Sequence, residues 1–146
     1  MVTDIKASLD RFTSPEGGIL LVDKAPDWTS FDVVKKVRNL FHLRKVGHAG
    51  TLDPSATGLL ILCSNQHTRK VHEYQELPKE YTGTMKLGWI TDSLDADTEE
   101  KDPRPFNHIN EVILQETALQ LVGDIEQIPP MYSALKKKGK RLYTLA

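Results

Sequence analysis

The side chains best suited to chemistry lie in Gly47-His48-Ala49-Gly50-Thr51-Leu52-Asp53-Pro54. A carboxylate fixed in a tight loop between two core elements can act as a nucleophile or a general base if the loop aims it into a cleft. The same aspartate, standing just before a proline, can instead cap a turn. The residue types leave both roles open for Asp53. They likewise leave His48 as either a binding group or a satisfied loop histidine. Other constellations fail on spacing. The segment lacks the Gly-Lys-Ser/Thr of a P-loop and the G-x-G-x-x-G of a dinucleotide fold. His72-Glu73 opens like a zinc-protease helix, but Glu76 stands where the second histidine belongs. Asp95-x-Asp97 opens like a calcium loop, but Glu100 takes the glycine position and Phe106 the closing glutamate position. The five histidines are scattered, so no metal is predicted, and no cofactor.

Regular elements on either side must hold this loop. Ile19-Leu20-Leu21-Val22, opened by Gly17-Gly18 and broken by Lys24-Ala25-Pro26-Asp27, reads as a buried strand. Thr29 caps a helix with Asp32 three residues on, and Val33, Val34, Val37, Leu40 and Phe41 follow at helical spacing. Three glycines and Pro54 keep residues 46–58 from being regular throughout. Leu59 to Cys63 reads as a second buried strand, residues 66–75 as a short helix, and Tyr81 to Leu87 as a half-buried strand. An acidic loop follows. Residues 111–122 read as a helix stopped at Gly123, Ile125 to Ile128 as strand-like, and 131–143 as two strands turning near Lys138-Gly139. Residues 1–16 are polar and read as a loose leader. Strands and helices without regular β-α-β alternation predict an α+β fold.

The chain has 146 residues, 39% hydrophobic and 27% charged, which fits one soluble domain or a piece of a larger one. No apolar run approaches the ~20 residues that span a bilayer, and Met1 to Arg11 lacks a signal-peptide core. The single cysteine, Cys63, excludes an internal disulfide framework. These features predict a cytoplasmic protein without a membrane partner. The net charge of −1 conceals segregation. Lys35, Lys36, Arg38, Arg44 and Lys45 crowd one segment, and Lys136, Lys137, Lys138, Lys140 and Arg141 another. Asp92, Asp95, Asp97, Glu99, Glu100 and Asp102 oppose them. Local basic clusters can meet phosphates whatever the total charge.

Gly50-Thr51-Leu52-Asp53-Pro54-x-Ala56-Thr57-Gly58 resembles the nucleophile loop of bacterial tRNA pseudouridine synthases of the TruB type. Asp23-Lys24 followed by Thr29-Ser30-Phe31 resembles that family's first motif. Lys79-Glu80-Tyr81-x-Gly83 and Leu87-Gly88-x-x-Thr91-Asp92-Ser93-x-Asp95-Ala96-Asp97 resemble its second block. Gln127-x-Pro129-Pro130-x-Tyr132-Ser133-Ala134-x-Lys136-x-x-Gly139-x-Arg141-x-Tyr143 resembles its third. The blocks keep family order and spacing from about Gly17 to Ala146. Some positions depart: Ala25 and Asp27 replace the usual proline and glycine, Ser55 a common leucine, Asn65 a usual glycine and His67 a common alanine. Asparagine tolerates the left-handed conformation, so Asn65 is an acceptable substitute.

The resemblance implies a pseudouridine synthase catalytic fold, a mixed and mainly antiparallel sheet flanked by helices. Residues 17–146 would form part of its catalytic domain, because the family pattern continues beyond Ala146 with a basic partner for the aspartate and often a C-terminal RNA-binding domain. This span alone is then expected to be inactive. The implied activity is isomerisation of the uridine at position 55 in the tRNA T-loop. Asp53 would be nucleophile or base, Tyr81 would stack on the flipped base, and His48 would contact the flipped region or its phosphates. Lys24 would support the loop or a phosphate, and Asp95 is a further supporting candidate. The implied partner is the tRNA T-stem-loop, with no obligatory protein partner and a monomeric whole protein. Two alternatives are a guide-directed synthase acting on ribosomal RNA, which shares the aspartate loop, and a non-catalytic RNA-binding module.

Overall fold

The computed structural model describes residues 5–126, Ile128, and the backbone of residues 136–137 and 140–141. The chain divides into two units, residues 1–81 and 82–146. In the first, β1 (Ile19–Lys24), β2 (Val46–His48) and β3 (Gly58–Ser64) form a sheet in the order β1-β3-β2. β3 runs antiparallel to both neighbours, so β1 and β2 are parallel and β3 inserts between them. Helix α2 (Ser30–Leu40) makes the crossover, giving a split β-α-β unit. The period-2 alternation of the strands turns Leu20, Val22, Leu60 and Leu62 to one face. There they meet Phe12, Val33, Val34 and Val37. This is the expected α+β class, with a small antiparallel sheet flanked by helices.

Both strand positions agree with expectation, but their burial does not. Leu21 and Leu59, on the opposite face, are each 62% exposed among the described residues. A short apolar run has the same composition whether one face or two are covered, so periodicity could not separate the cases.

The N-terminal segment is a correction. Residues expected as a loose leader form helix α1 (Ile5–Thr13), and Phe12 is fully buried with an edge-on contact to Phe41. Buried Ser64 fastens α1 to the sheet. Its hydroxyl donates to the Phe12 carbonyl and accepts from the Gly18 N–H at 3.0 Å. Gly17 allows this approach. It has φ +75°, and a Cβ there would lie 2.0 Å from the Ser64 carbonyl oxygen. Asn65, at φ +44°, takes the left-handed conformation expected of a glycine replacement. A 3₁₀ turn (Asn65–Lys70) and α3 (Val71–Gln75) occupy the predicted short-helix region. Burial pushes the Cys63 thiol up, which suits a packing role rather than reactivity.

α2 begins where the sequence placed it. The Thr29 hydroxyl accepts from the Asp32 N–H at 3.0 Å, and the Asp32 carboxylate accepts from the Thr29 N–H at 3.1 Å. The Thr29 hydroxyl, and then its N–H, hold the Asp32 carboxyl below the ordinary aspartate range. A depressed folded-state pKa adds stability above the ordinary value, and that contribution is lost as pH falls through the folded-state pKa. Loss of the helix cap in Thr29→Ala is expected to cost about 1 kcal/mol at neutral pH. The gap between wild type and variant should narrow below about pH 4. Urea melts of both proteins from pH 3 to pH 7 check this, and a gap independent of pH would refute the carboxylate's part in the cap.

In the second unit, α4 (Glu111–Leu119) starts at Asn110, whose side chain accepts from the Ile113 N–H at 3.0 Å. Gly123, at φ +100°, follows the helix end. The helix agrees with expectation, yet Val112, Leu119, Leu121 and Val122 are exposed rather than packed. The predicted strand from Tyr81 to Leu87 is absent, because no strand pairs with this segment among the described residues. Residues 125, 126 and 128 are likewise irregular where strand was expected. The acidic stretch is a loop, bridged at Ile90 and Lys101 and carrying Lys86–Glu100 and Asp92–Lys101 ion pairs. β4 (Lys136–Lys137) pairs antiparallel with β5 (Lys140–Arg141), as the predicted turn requires. The rest of the third motif block, the turn itself and the side chains of the C-terminal basic cluster lie outside the described residues. Among those residues no helix is long and apolar enough to cross a membrane.

Candidate active site

Strand register decides what lies beneath the Asp53 loop. β2 ends at His48, opposite Leu62, and β3 opens at Gly58, opposite Lys24 at the end of β1. The nine intervening residues, 49–57, therefore leave the sheet from β2 and re-enter it beside the end of β1. Lys24 sits on the core-facing side of its strand and is 1% exposed. Its ammonium donates to the carbonyls of Trp28 at 2.7 Å, Ala25 at 3.0 Å and Pro54 at 3.0 Å. All three of its N–H donors are used on backbone. The Pro54 carbonyl also accepts from the Asp27 N–H at 2.9 Å, which fills its second lone pair.

A further clamp comes from α2. The Ser30 hydroxyl accepts from the Leu52 N–H at 2.9 Å and reaches the Leu52 carbonyl at 3.2 Å. The residues on either side of Asp53 are thus both tied to the β1–α2 region, Leu52 through Ser30 and Pro54 through Lys24 and Asp27. The loop is fixed although it has no regular structure.

Within that frame the Asp53 carbonyl accepts from the Ala56 N–H at 3.1 Å, closing a turn with Pro54 in its second position. The turn is therefore closed by backbone. The carboxylate is exposed and has no hydrogen bond or ion pair among the described residues. Of the two readings open for Asp53, a side-chain turn cap is not what the geometry contains. His48, five residues earlier, is half-buried, with Nδ1 2.6 Å from the Gly50 carbonyl. A carbonyl only accepts, so Nδ1 carries the proton, and Nε2 is left without a partner among the described residues.

Lys24 is bonded to the Asp53 loop at Pro54, and His48 stands at the loop's other end, where β2 leaves the sheet. Tyr81 stands in irregular backbone, 74% exposed, with no hydrogen bond or ring contact among the described residues. Asp95 belongs to the second unit, where its carboxylate accepts from the Asp97 N–H at 2.9 Å and shapes the acidic loop. Sequence reasoning gave no role to Ser30 or Asp27. The Ser30 bonds cross 22 positions, which no local spacing reveals. Asp27 had one signal, its place at a usual glycine. It keeps the left-handed conformation at φ +64°, which aspartate tolerates better than most side chains.

Several known proteins are similar to this chain in sequence. A tRNA pseudouridine synthase B from Flavobacterium johnsoniae is 48% identical over 135 residues, covering 88% of this chain and 59% of that protein. Proteins of the same name from Chlorobaculum tepidum and Chlorobium luteolum are 49% and 50% identical, covering 91% and 90% of this chain and 57% and 47% of their own length. The chain thus spans about half the length of these curated relatives. A chain in a solved structure of an H/ACA RNP bound to a substrate RNA containing 2'-deoxyuridine is 32% identical. It covers 49% of this chain and 20% of its own, with a TM-score of 0.40. Residues 38–146 match the profile described as TruB family pseudouridylate synthase, N-terminal domain. That match, with relatives near 50% identity across most of the sequence, establishes that the chain belongs to the TruB family of pseudouridylate synthases.

Proposed function

We propose that the whole protein is a tRNA pseudouridine synthase that isomerises the uridine at position 55 of the tRNA T-loop, with Asp53 attacking or deprotonating the flipped-out nucleotide. Family membership and the names of the relatives support the reaction class. The observation that carries the assignment to Asp53 is a carboxylate with no partner among the described residues, on a loop held from both sides. The reaction breaks the N1–C1′ bond of uridine, turns the base, and joins C5 to C1′, while the C5 proton moves to solvent and N1 gains one. Substrate and product are isomers, so the balance needs no oxidant, reductant or nucleotide. Asp53 can serve by attack at C1′, by addition to C6, or by removing the C2′ proton to form a glycal.

The target base must leave its stack to meet Asp53, at a cost of a few kcal/mol. Stacking on an aromatic ring returns about 1–3 kcal/mol, and Tyr81 is the exposed ring of the second motif block. His48, with Nδ1 occupied, presents Nε2 toward the flipped region. Lys24 acts through the loop and does not touch substrate. The basic segment 35–45 meets RNA backbone, in a cytoplasmic monomer that needs no protein partner.

Tyr81→Leu should reduce the single-turnover rate by at least about 100-fold, because ring and hydroxyl are both lost. Tyr81→Phe separates them: full activity would leave stacking and remove the hydroxyl from any proton relay. The test of the whole proposal is pseudouridine formation by the whole protein on a T-loop stem-loop without guide RNA. A requirement for guide RNA would select the ribosomal-RNA alternative, and tight binding without turnover would select the non-catalytic one.

A further inference from the structure

One face of α2 borders an open groove of about 340 Å³. It is lined by Asp27, Trp28, Asp32, Lys35, Lys36 and Asn39. From Trp28 onward the spacing is 28, 32, 35, 36, 39, a single stripe along the helix, opposite the buried Val33, Val34 and Val37. The stripe is chemically ordered. At one end stands an indole 40% exposed, with the Asp27 and Asp32 carboxylates beside it. At the other are Lys35 and Lys36, both exposed and without an ion pair among the described residues.

Asp32 is held by Thr29 in the helix cap, with Lys35 a lesser influence on its carboxyl, so neither lysine is neutralised by a close pair. The helix N-terminal N–H groups are not the attraction, because Thr29 already occupies that end. Past Asp32 the charge is of one sign. Between Val33 and Leu52 the chain carries Lys35, Lys36, Arg38, Arg44 and Lys45 and no acidic residue.

We propose that this groove binds an unpaired nucleotide of the RNA substrate next to the target, with its base on Trp28 and its phosphate at Lys35 and Lys36. The inference rests on the synthase reading above. An aromatic face beside a cationic track is what single-stranded RNA requires, since every base has a π-face and every linkage a charge. The carboxylates at the indole end fit base N–H donors. An acidic peptide is the competing occupant of a lysine-lined groove. The groove also adjoins the Asp53 loop, since the Trp28 carbonyl binds Lys24 and the Asp27 N–H binds Pro54. Both contacts use backbone, so replacing the indole leaves them in place.

The test is the Kd of the whole protein for a T-loop stem-loop over a KCl series, with saturated single-turnover rates on the same RNA. Trp28→Ala should raise Kd by about 5- to 150-fold, a larger effect than on the saturated rate. Trp28→Phe should recover most of the affinity. Trp28→Leu should not, and the Phe-against-Leu contrast decides the matter if the alanine variant melts early. The double variant Lys35→Gln, Lys36→Gln should flatten the slope of log affinity against log salt by about 0.7 for each phosphate no longer neutralised. An unchanged Kd in Trp28→Ala, an unchanged salt slope, or displacement of RNA by an acidic peptide would overturn the groove. So would a loss confined to the saturated rate, which would make the indole part of the loop support. A wild type that forms no pseudouridine sinks the synthase reading instead, and the Kd comparison still decides the groove.

Discussion

Asp53→Asn in the whole protein is expected to lower the single-turnover rate of pseudouridine formation by about 10²–10⁴-fold or more, the range a single positioned acid, base or nucleophile supplies. RNA affinity should stay close to wild type. The substitution is nearly isosteric and removes only the carboxylate charge. The fold should not register it, because the turn at Asp53 is closed by its backbone carbonyl and the Ala56 N–H. The clamps on Leu52 and Pro54 are also backbone contacts on the loop side. The expected pattern is therefore unchanged melting, unchanged Kd and abolished turnover. Retention of a substantial share of the wild-type rate would remove Asp53 from the chemistry. A parallel loss of stability would show instead that the carboxylate holds the loop.

Lys24→Met should show the opposite pattern. A buried ammonium with three carbonyl partners is tolerated because every donor is used, and removing it leaves polar atoms behind. Hydrogen bonds to a charged group are worth about 1.5–3 kcal/mol each, and the Pro54 carbonyl keeps its bond from Asp27. A net loss of about 3 kcal/mol in urea unfolding is expected. Turnover should fall with it, since the loop carrying Asp53 loses its connection to β1. Lys24→Arg should not rescue, because a planar guanidinium cannot aim its donors at three carbonyls gathered around one ammonium. A stable Lys24→Met protein with normal turnover would show that Asp27 and Ser30 hold the loop without it.

Local patterns determined a good deal. The apolar runs at 19–22 and 59–63 became β1 and β3 because branched side chains between turn residues suit a pleated surface. Thr29 and Asp32 fixed the start of α2, since a capping box is satisfied within four residues. Substitution by Asn65 at a usual glycine position correctly implied left-handed backbone there, whereas the same conformation at Asp27 was not anticipated. The motif blocks placed the chain in its family, and with it named Asp53. Where local patterns failed, a partner distant in sequence was the cause. Phe12 looks like part of an aperiodic leader until Ser64 and the face of α2 cover it. Tyr81 to Leu87 alternates like a strand, but alternation supplies no neighbour to pair with. Whether Asp53 caps its own turn or presents a carboxylate to the outside was undecidable from the residues around it. The Ala56 N–H decides it by closing the turn on the Asp53 carbonyl, and Lys24, Asp27 and Ser30 hold the loop from the end of β1 and the start of α2. Side-chain chemistry is thus legible from composition and spacing, whereas the availability of a group depends on which distant atoms have satisfied its neighbours, and that is fixed only when the sheet closes.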